Sequence, residues 1–126
     1  MADLLSTSSD WLQDQRHKHL ARTVTYIRGP SSVELQATAG RTSFEVVDEN
    51  GILQEHESRD WLVRAEDLVL DGLKIKPRPG DVVSETLGGV THKYTVMSPG
   101  EGPPWRYSDV NRKTLRIHTK HTGEVG

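Results

Sequence analysis

The sequence predicts a mainly β chain: a small antiparallel β-barrel or sandwich of about seven to eight short strands, with an N-terminal helix and flexible loops. Three observations carry that expectation. Apolar and polar residues alternate in short runs, as in RTVTYIR, VELQATA, DWLVR and KYTV, which is the period of a half-buried strand. Turn-forming pairs separate the runs: Gly29-Pro30, Asn50-Gly51, Asp71-Gly72 and Gly88-Gly89. Only 33% of the 126 residues are hydrophobic, so the core is thin, and residues 1–126 make a single domain.

Taken in order, residues 1–9 are rich in Ser and Thr and read as a loose lead-in. Ser8 or Ser9 can cap a helix over residues 10–21, with Asp10 favourable in its first turn. Trp11, Leu12 and Leu20 give that helix a thin apolar stripe, so it must lean on the sheet or on a neighbouring subunit. A β-barrel is expected over residues 22–119. In its first strand Val24, Tyr26 and Arg28 share a face. Gly29-Pro30-Ser31-Ser32 turns the chain into a strand with Val33, Leu35 and Ala37 on one side. Gly40 is expected to break that strand before Phe44 and Val46 resume the alternation. Asp48-Glu49-Asn50-Gly51 signals a hairpin, and the return strand from Ile52 and Leu53 is expected to fade into the polar QEHES.

Trp61 and Val63 then point one way from a strand, Leu62 and Arg64 the other. Ala65–Leu68 reads as one helical turn or a bend. Pro77 and Pro79 donate nothing to a ladder, so the backbone there is expected to be exposed or at a sheet edge. Gly80-Asp81 forms a corner into Val82-Val83, Gly88-Gly89 a hairpin tip, and Tyr94 and Val96 continue the alternation. Ser98–Pro104 is the richest in turn residues. A short strand at Trp105–Tyr107 and a last one carrying Leu115 and Ile117 follow, and residues 121–126 read as a frayed tail.

Composition narrows the function. Sixteen basic and eighteen acidic residues give a net charge of -2, so no bulk basic field points to nucleic acid. The chain has no cysteine, which removes disulfides, thiolate metal sites and thiol nucleophiles and favours an intracellular setting. No apolar run is long enough to span a membrane, and the N-terminus lacks the basic start and apolar stretch of a secretory signal.

Chemical motifs are sparse. His17-x-His19 and His118-x-x-His121 are the close histidine pairs. On a helix the first pair diverges, and no third ligand stands near either. Neither a metal nor another cofactor is expected. The carboxylate neighbours Asp67 with Asp71 and Glu55 with Glu57 lie in polar, turn-rich surroundings, where no acid is held protonated. Ser58 and Ser98 lack a nucleophile elbow. The sequence has no phosphate loop, and Pro103-Pro104 after Gly100-Glu101-Gly102 forbids the helix start a phosphate would use. No catalytic residue is assigned, and the chain is not expected to be an enzyme. Two surface features stand out instead. Arg106, Arg112, Lys113, Arg116, His118, Lys120 and His121 make a locally basic strip beside Trp105 and Tyr107, which reads as the charged outer face of a strand with Leu115 and Ile117 inward, as a surface that meets an acidic protein, or as one that stacks on bases. Trp11 on its polar helix is a candidate docking anchor.

The order of elements, with Trp61, Leu62, Val63 and Arg64, then Pro79, Gly80, Asp81 and Val82, then Tyr94 and Val96, resembles the head–tail joining proteins of long-tailed phages, the head completion or stopper proteins of a lambda-like neck. Gly80 permits the bend, Asp81 can bond backbone amides at the corner, and Trp61, Val63, Tyr94 and Val96 fill the core. The resemblance implies a structural virion or prophage protein, made in the host cytoplasm and ending in the virion neck. It implies a ring of copies below the portal, contact with the portal or adaptor ring and with tail proteins, packaged DNA close by, and no membrane. Alone, the chain is expected to be a monomer or weak oligomer whose segments 1–9, 71–78, 98–104 and 121–126 order on assembly. The alternative is a small β-barrel module that binds nucleic acid or protein inside the cell.

Overall fold

The structure is a computed structural model that describes residues 21–100 and 102–126. Trp11 and the helix expected over residues 10–21 lie outside the described residues, except for Ala21, which precedes the first strand in irregular backbone. Nine strands follow: β1 (Arg22–Arg28), β2 (Ser31–Val47), β3 (Leu53–Arg64), β4 (Val69–Leu70), β5 (Leu73–Lys74), β6 (Val82–Leu87), β7 (Val90–Val96), β8 (Trp105–Tyr107) and β9 (Thr114–Val125). A 3-10 turn, Ala65–Asp67, joins β3 to β4. The chain is mainly β, as its alternation predicts, and every strand pairing is antiparallel.

Seven strands form one sheet in the order β3-β2-β1-β6-β7-β9-β8. β3 also pairs with β9, so the hydrogen bonds run in an unbroken circuit through six strands. β9 makes this closure possible because it is long enough to use both edges. Thr114–Thr119 pairs with β3, while the other edge takes β8 at Leu115–Ile117 and β7 from Thr119 onward. A closed circuit leaves few strand edges free to template aggregation.

The inward face follows the period-two reading. Val24 and Tyr26 of β1, Leu35 and Ala37 of β2, Trp61 and Val63 of β3, Val83 of β6, Tyr94 and Val96 of β7, and Leu115 and Ile117 of β9 are buried together, with Leu68 and Leu70 beneath them. Trp61 meets Tyr94 edge to face at 5.2 Å between ring centres, a geometry that adds specificity to burial. Glycine sets the tight tips. Gly88 and Gly89 have φ of 57° and 83°, which allows a two-residue turn between β6 and β7 whose twist matches the strands.

Three segments depart from expectation. Gly40 does not break β2, which runs unbroken for 17 residues. A Cβ there would sit 3.2 Å from Leu62 Cδ1 and 3.4 Å from Arg116 Nη1, so the glycine makes room for those side chains over the strand rather than ending it. Gln54–Ser58 belongs to β3, because each residue has a partner on β2. Residues 121–126 are not a frayed tail: β9 continues to Val125, and its last residues pair with Thr91–Tyr94 of β7.

Candidate functional site

Of the three buried carboxylates among the described residues, Asp60, Asp81 and Glu85, Asp60 and Asp81 each gather several donors and brace opposite ends of the fold. Asp60 and Trp61 are neighbours on β3 and face opposite ways, yet both are fully buried. Asp60 accepts hydrogen bonds from Ser58 Oγ (2.6 Å), Arg116 Nη1 (2.7 Å), His118 Nδ1 (2.9 Å) and the Thr42 hydroxyl. Burial pushes its carboxyl up, but the bonds from His118, Ser58, Thr42 and Arg116 outweigh burial and hold it well below the usual carboxylate range. Ser58, His118 and Asp60 thus come together although they are distant in sequence. The arrangement does not activate the serine. Its hydroxyl donates to the same Asp60 oxygen that faces His118 Nδ1, and only a 3.5 Å approach links it to the imidazole, at that same nitrogen. The cluster is an ion-pair brace that ties β2, β3 and β9.

At the other end Gly80, with φ of 96°, turns the chain so that Asp81 enters the core. Its carboxylate accepts from Arg28 Nη2 (2.8 Å), the Arg78 amide (3.0 Å) and the Tyr26 hydroxyl. Burial raises the Asp81 carboxyl, and Arg28, Tyr26 and the Arg78 amide more than offset it, so its pKa is lowered. Tyr26 is pushed up, first by burial and then by its bond to Asp81.

The basic strip divides between committed and exposed cations. Arg116 is not available to a partner, because it is committed to Asp60. Lys120 is exposed on the outward face of β9, opposite Thr95. Arg106, Arg112 and Lys113 are exposed at the end where β3 gives way to the 3-10 turn, as the bond from the Ala65 amide to the Lys113 carbonyl fixes. Lys74, Lys76 and Arg78 join them there, a contribution the sequence reading missed because these residues lie about thirty positions upstream of the strip. Lys76 Nζ lies 5.6 Å from the ring centres of both Trp105 and Tyr107, and Arg112 lies 5.8 Å from that of Tyr107. The two aromatic rings therefore carry the chain's own cations on their faces. Four acids, Glu66, Asp67, Asp71 and Asp109, share this end, but Asp109 is spent on the Lys113 and Thr114 amides.

The opposite end carries a different surface. β1 leaves β2 at Ala37, and β9 leaves β3 at Arg59. Beyond them Ser43–Val47 and Leu53–Glu57 pair only with each other among the described residues. Five rungs at about 3.3 Å each make an arm roughly 16 Å long. Asp48 closes its tip by accepting from the Asn50 and Ile52 amides. Residues 43–57 hold five carboxylates, Glu45, Asp48, Glu49, Glu55 and Glu57, and no Lys or Arg. Val47, Ile52 and Leu53 at the tip are about three-fifths exposed, at 61%, 58% and 59%.

Of the remaining residues singled out from the sequence, Trp61, Val63, Tyr94 and Val96 lie in the core, and Trp11 lies outside the described residues.

The described residues thus form a β-scaffold braced by buried ion pairs, with an acidic arm at one end and a cationic surface at the other. The chain belongs to the phage head-tail joining protein family, whose sequence pattern it matches over residues 2–126. Membership gives it a structural part in head–tail joining and implies contact with portal and tail proteins in the virion. No curated protein matches it.

Proposed function

We propose that copies of this chain form a ring below the portal and offer the tail its docking face. The observation that supports this reading is the separation of the two charged surfaces. The arm tip begins β3 and the basic turn lies at its other end, so about eleven residues of extended strand, up to roughly 36 Å, keep them apart in one copy. A patch that cannot meet its complement within the chain can meet it on a neighbour. Contact of that kind is heterologous, and it closes into a ring when the rotation allows. In this reading the closed circuit of strands is a small barrel that spaces the two surfaces, and the role is structural rather than catalytic. Direct binding to bases is less favoured, because a base would have to displace Lys76 and Arg112 from the rings of Trp105 and Tyr107.

Deletion of the gene tests the proposal. DNA-filled heads without tails should accumulate, and a plasmid copy should restore joined particles. Normal virions from the deletion would reject a part in the neck.

A further inference from the structure

We propose that His92, His121 and Glu124 form a binding site for a divalent transition-metal ion of the zinc class. The site is made by an irregularity in the β7–β9 ladder. Tyr94 pairs with His121 and Lys93 with Gly123, so Thr122 is an extra residue on β9. On a regular strand, residues 121 and 124 face opposite ways. The extra residue brings them to the same face, where His92 stands opposite Glu124. A bulge that re-aims a side chain is a recurrent device beside functional sites.

The distances suit a cation. His92 Nδ1 lies 3.4 Å from His121 Nε2 and 3.4 Å from Glu124 Oε1, and His121 Nε2 lies 3.6 Å from the same oxygen. Two nitrogens and an oxygen thus converge within 4.8 Å of one another. These separations are long for hydrogen bonds. A tetrahedral ion bonded at about 2.0–2.1 Å needs donors roughly 3.4 Å apart, and two imidazoles with one carboxylate are a known zinc donor set. The rings are already positioned, since His121 packs against Tyr94 at 5.3 Å and against His92 at 5.6 Å. Charge on this face is mixed. Glu85 lies directly across from His92 and is held by Arg22, while Arg59 lies over Tyr94. Glu124 supplies the anionic ligand. An ion here would bolt the last residues of β9 onto β7 and leave a fourth position to water.

The test uses the untagged full chain, so that no added histidines compete. Titration with Zn2+ should saturate at one equivalent and raise the thermal midpoint, and Co2+ should give the visible absorption of a four-coordinate ion. His92→Ala and His121→Ala should each abolish stoichiometric binding, and Glu124→Gln should weaken it about tenfold or more, with circular dichroism unchanged in all three. A His17→Ala/His19→Ala double variant should bind as the parent does. Absence of saturable binding, survival of binding in both single histidine variants, or its loss in the His17/His19 variant would overturn the assignment.

Discussion

Asp60 shows how much one side chain can organise. It is fully buried, so its charge is tolerable only because four donors converge on it. Asp60→Asn removes the charge and leaves Arg116 and His118 facing a neutral amide. Removing one partner of a buried ion pair costs about 3–5 kcal/mol, and urea denaturation should show a loss of that order. The pH dependence has a definite sign. Asp60 and Asp81 both have lowered folded-state pKa values, so the unfolded chain takes up protons first. Their contribution is fully present above the unfolded carboxyl value of about 3.9 and is lost as pH falls below it through the folded values. Stability should therefore hold between neutrality and about pH 5 and drop steeply below about pH 4. Asp60→Asn should flatten that drop, and an acid transition identical to the parent's would show that Asp60 does not drive it.

The arm formed by β2 and β3 is the element whose surface exceeds what stability needs. Its tip exposes Val47, Ile52 and Leu53 with no packing partner among the core residues. Ile52→Asp with Leu53→Asp should leave unfolding free energy within about 0.5 kcal/mol of the parent, since exposed substitutions rarely do more. The same pair should abolish joining in a complementation assay, and full joining would remove the tip from the interface. This element also marks the limit of what the sequence discloses. Alternation located the inward face, because Val24, Tyr26, Leu35, Trp61, Val63, Tyr94 and Val96 answer to burial on a period of two. The arm was hidden, because Gly40 reads as a stop and QEHES as a loop until the strands are seen to support each other. Contacts that depend on distant pairing were equally hidden: Arg116 on Asp60, Lys76 between Trp105 and Tyr107, and the bulge that turns His121 and Glu124 to one side. Local pattern records which face of a strand is apolar. It does not record which strand lies next to it.

At the scale of the whole molecule, opposite charges collect at opposite ends of β3. Five carboxylates lie on the arm, with Glu57 paired to Arg41 at its base, and six exposed cations, Lys74, Lys76, Arg78, Arg106, Arg112 and Lys113, outnumber the four acids at the far end of β3. A net charge of -2 conceals this separation. Such a dipole favours head-to-tail contact between copies and disfavours head-to-head contact, since like charges would then meet. Charge exchange distinguishes this arrangement from a general loss of solubility. Glu45, Glu49 and Glu55 replaced by Lys should block joining, because the reversed arm would approach a like-charged surface. Lys74, Lys76 and Lys113 replaced by Glu should block it for the mirror reason. A chain carrying both sets restores opposite signs at the two ends and should regain joining. Both single-set defects should soften with added salt, as contacts between exposed charges are screened over about 10 Å at 0.1 M. Failure of the combined chain, with its fold intact by circular dichroism, would show that these two ends do not meet and that the cationic end serves a different partner.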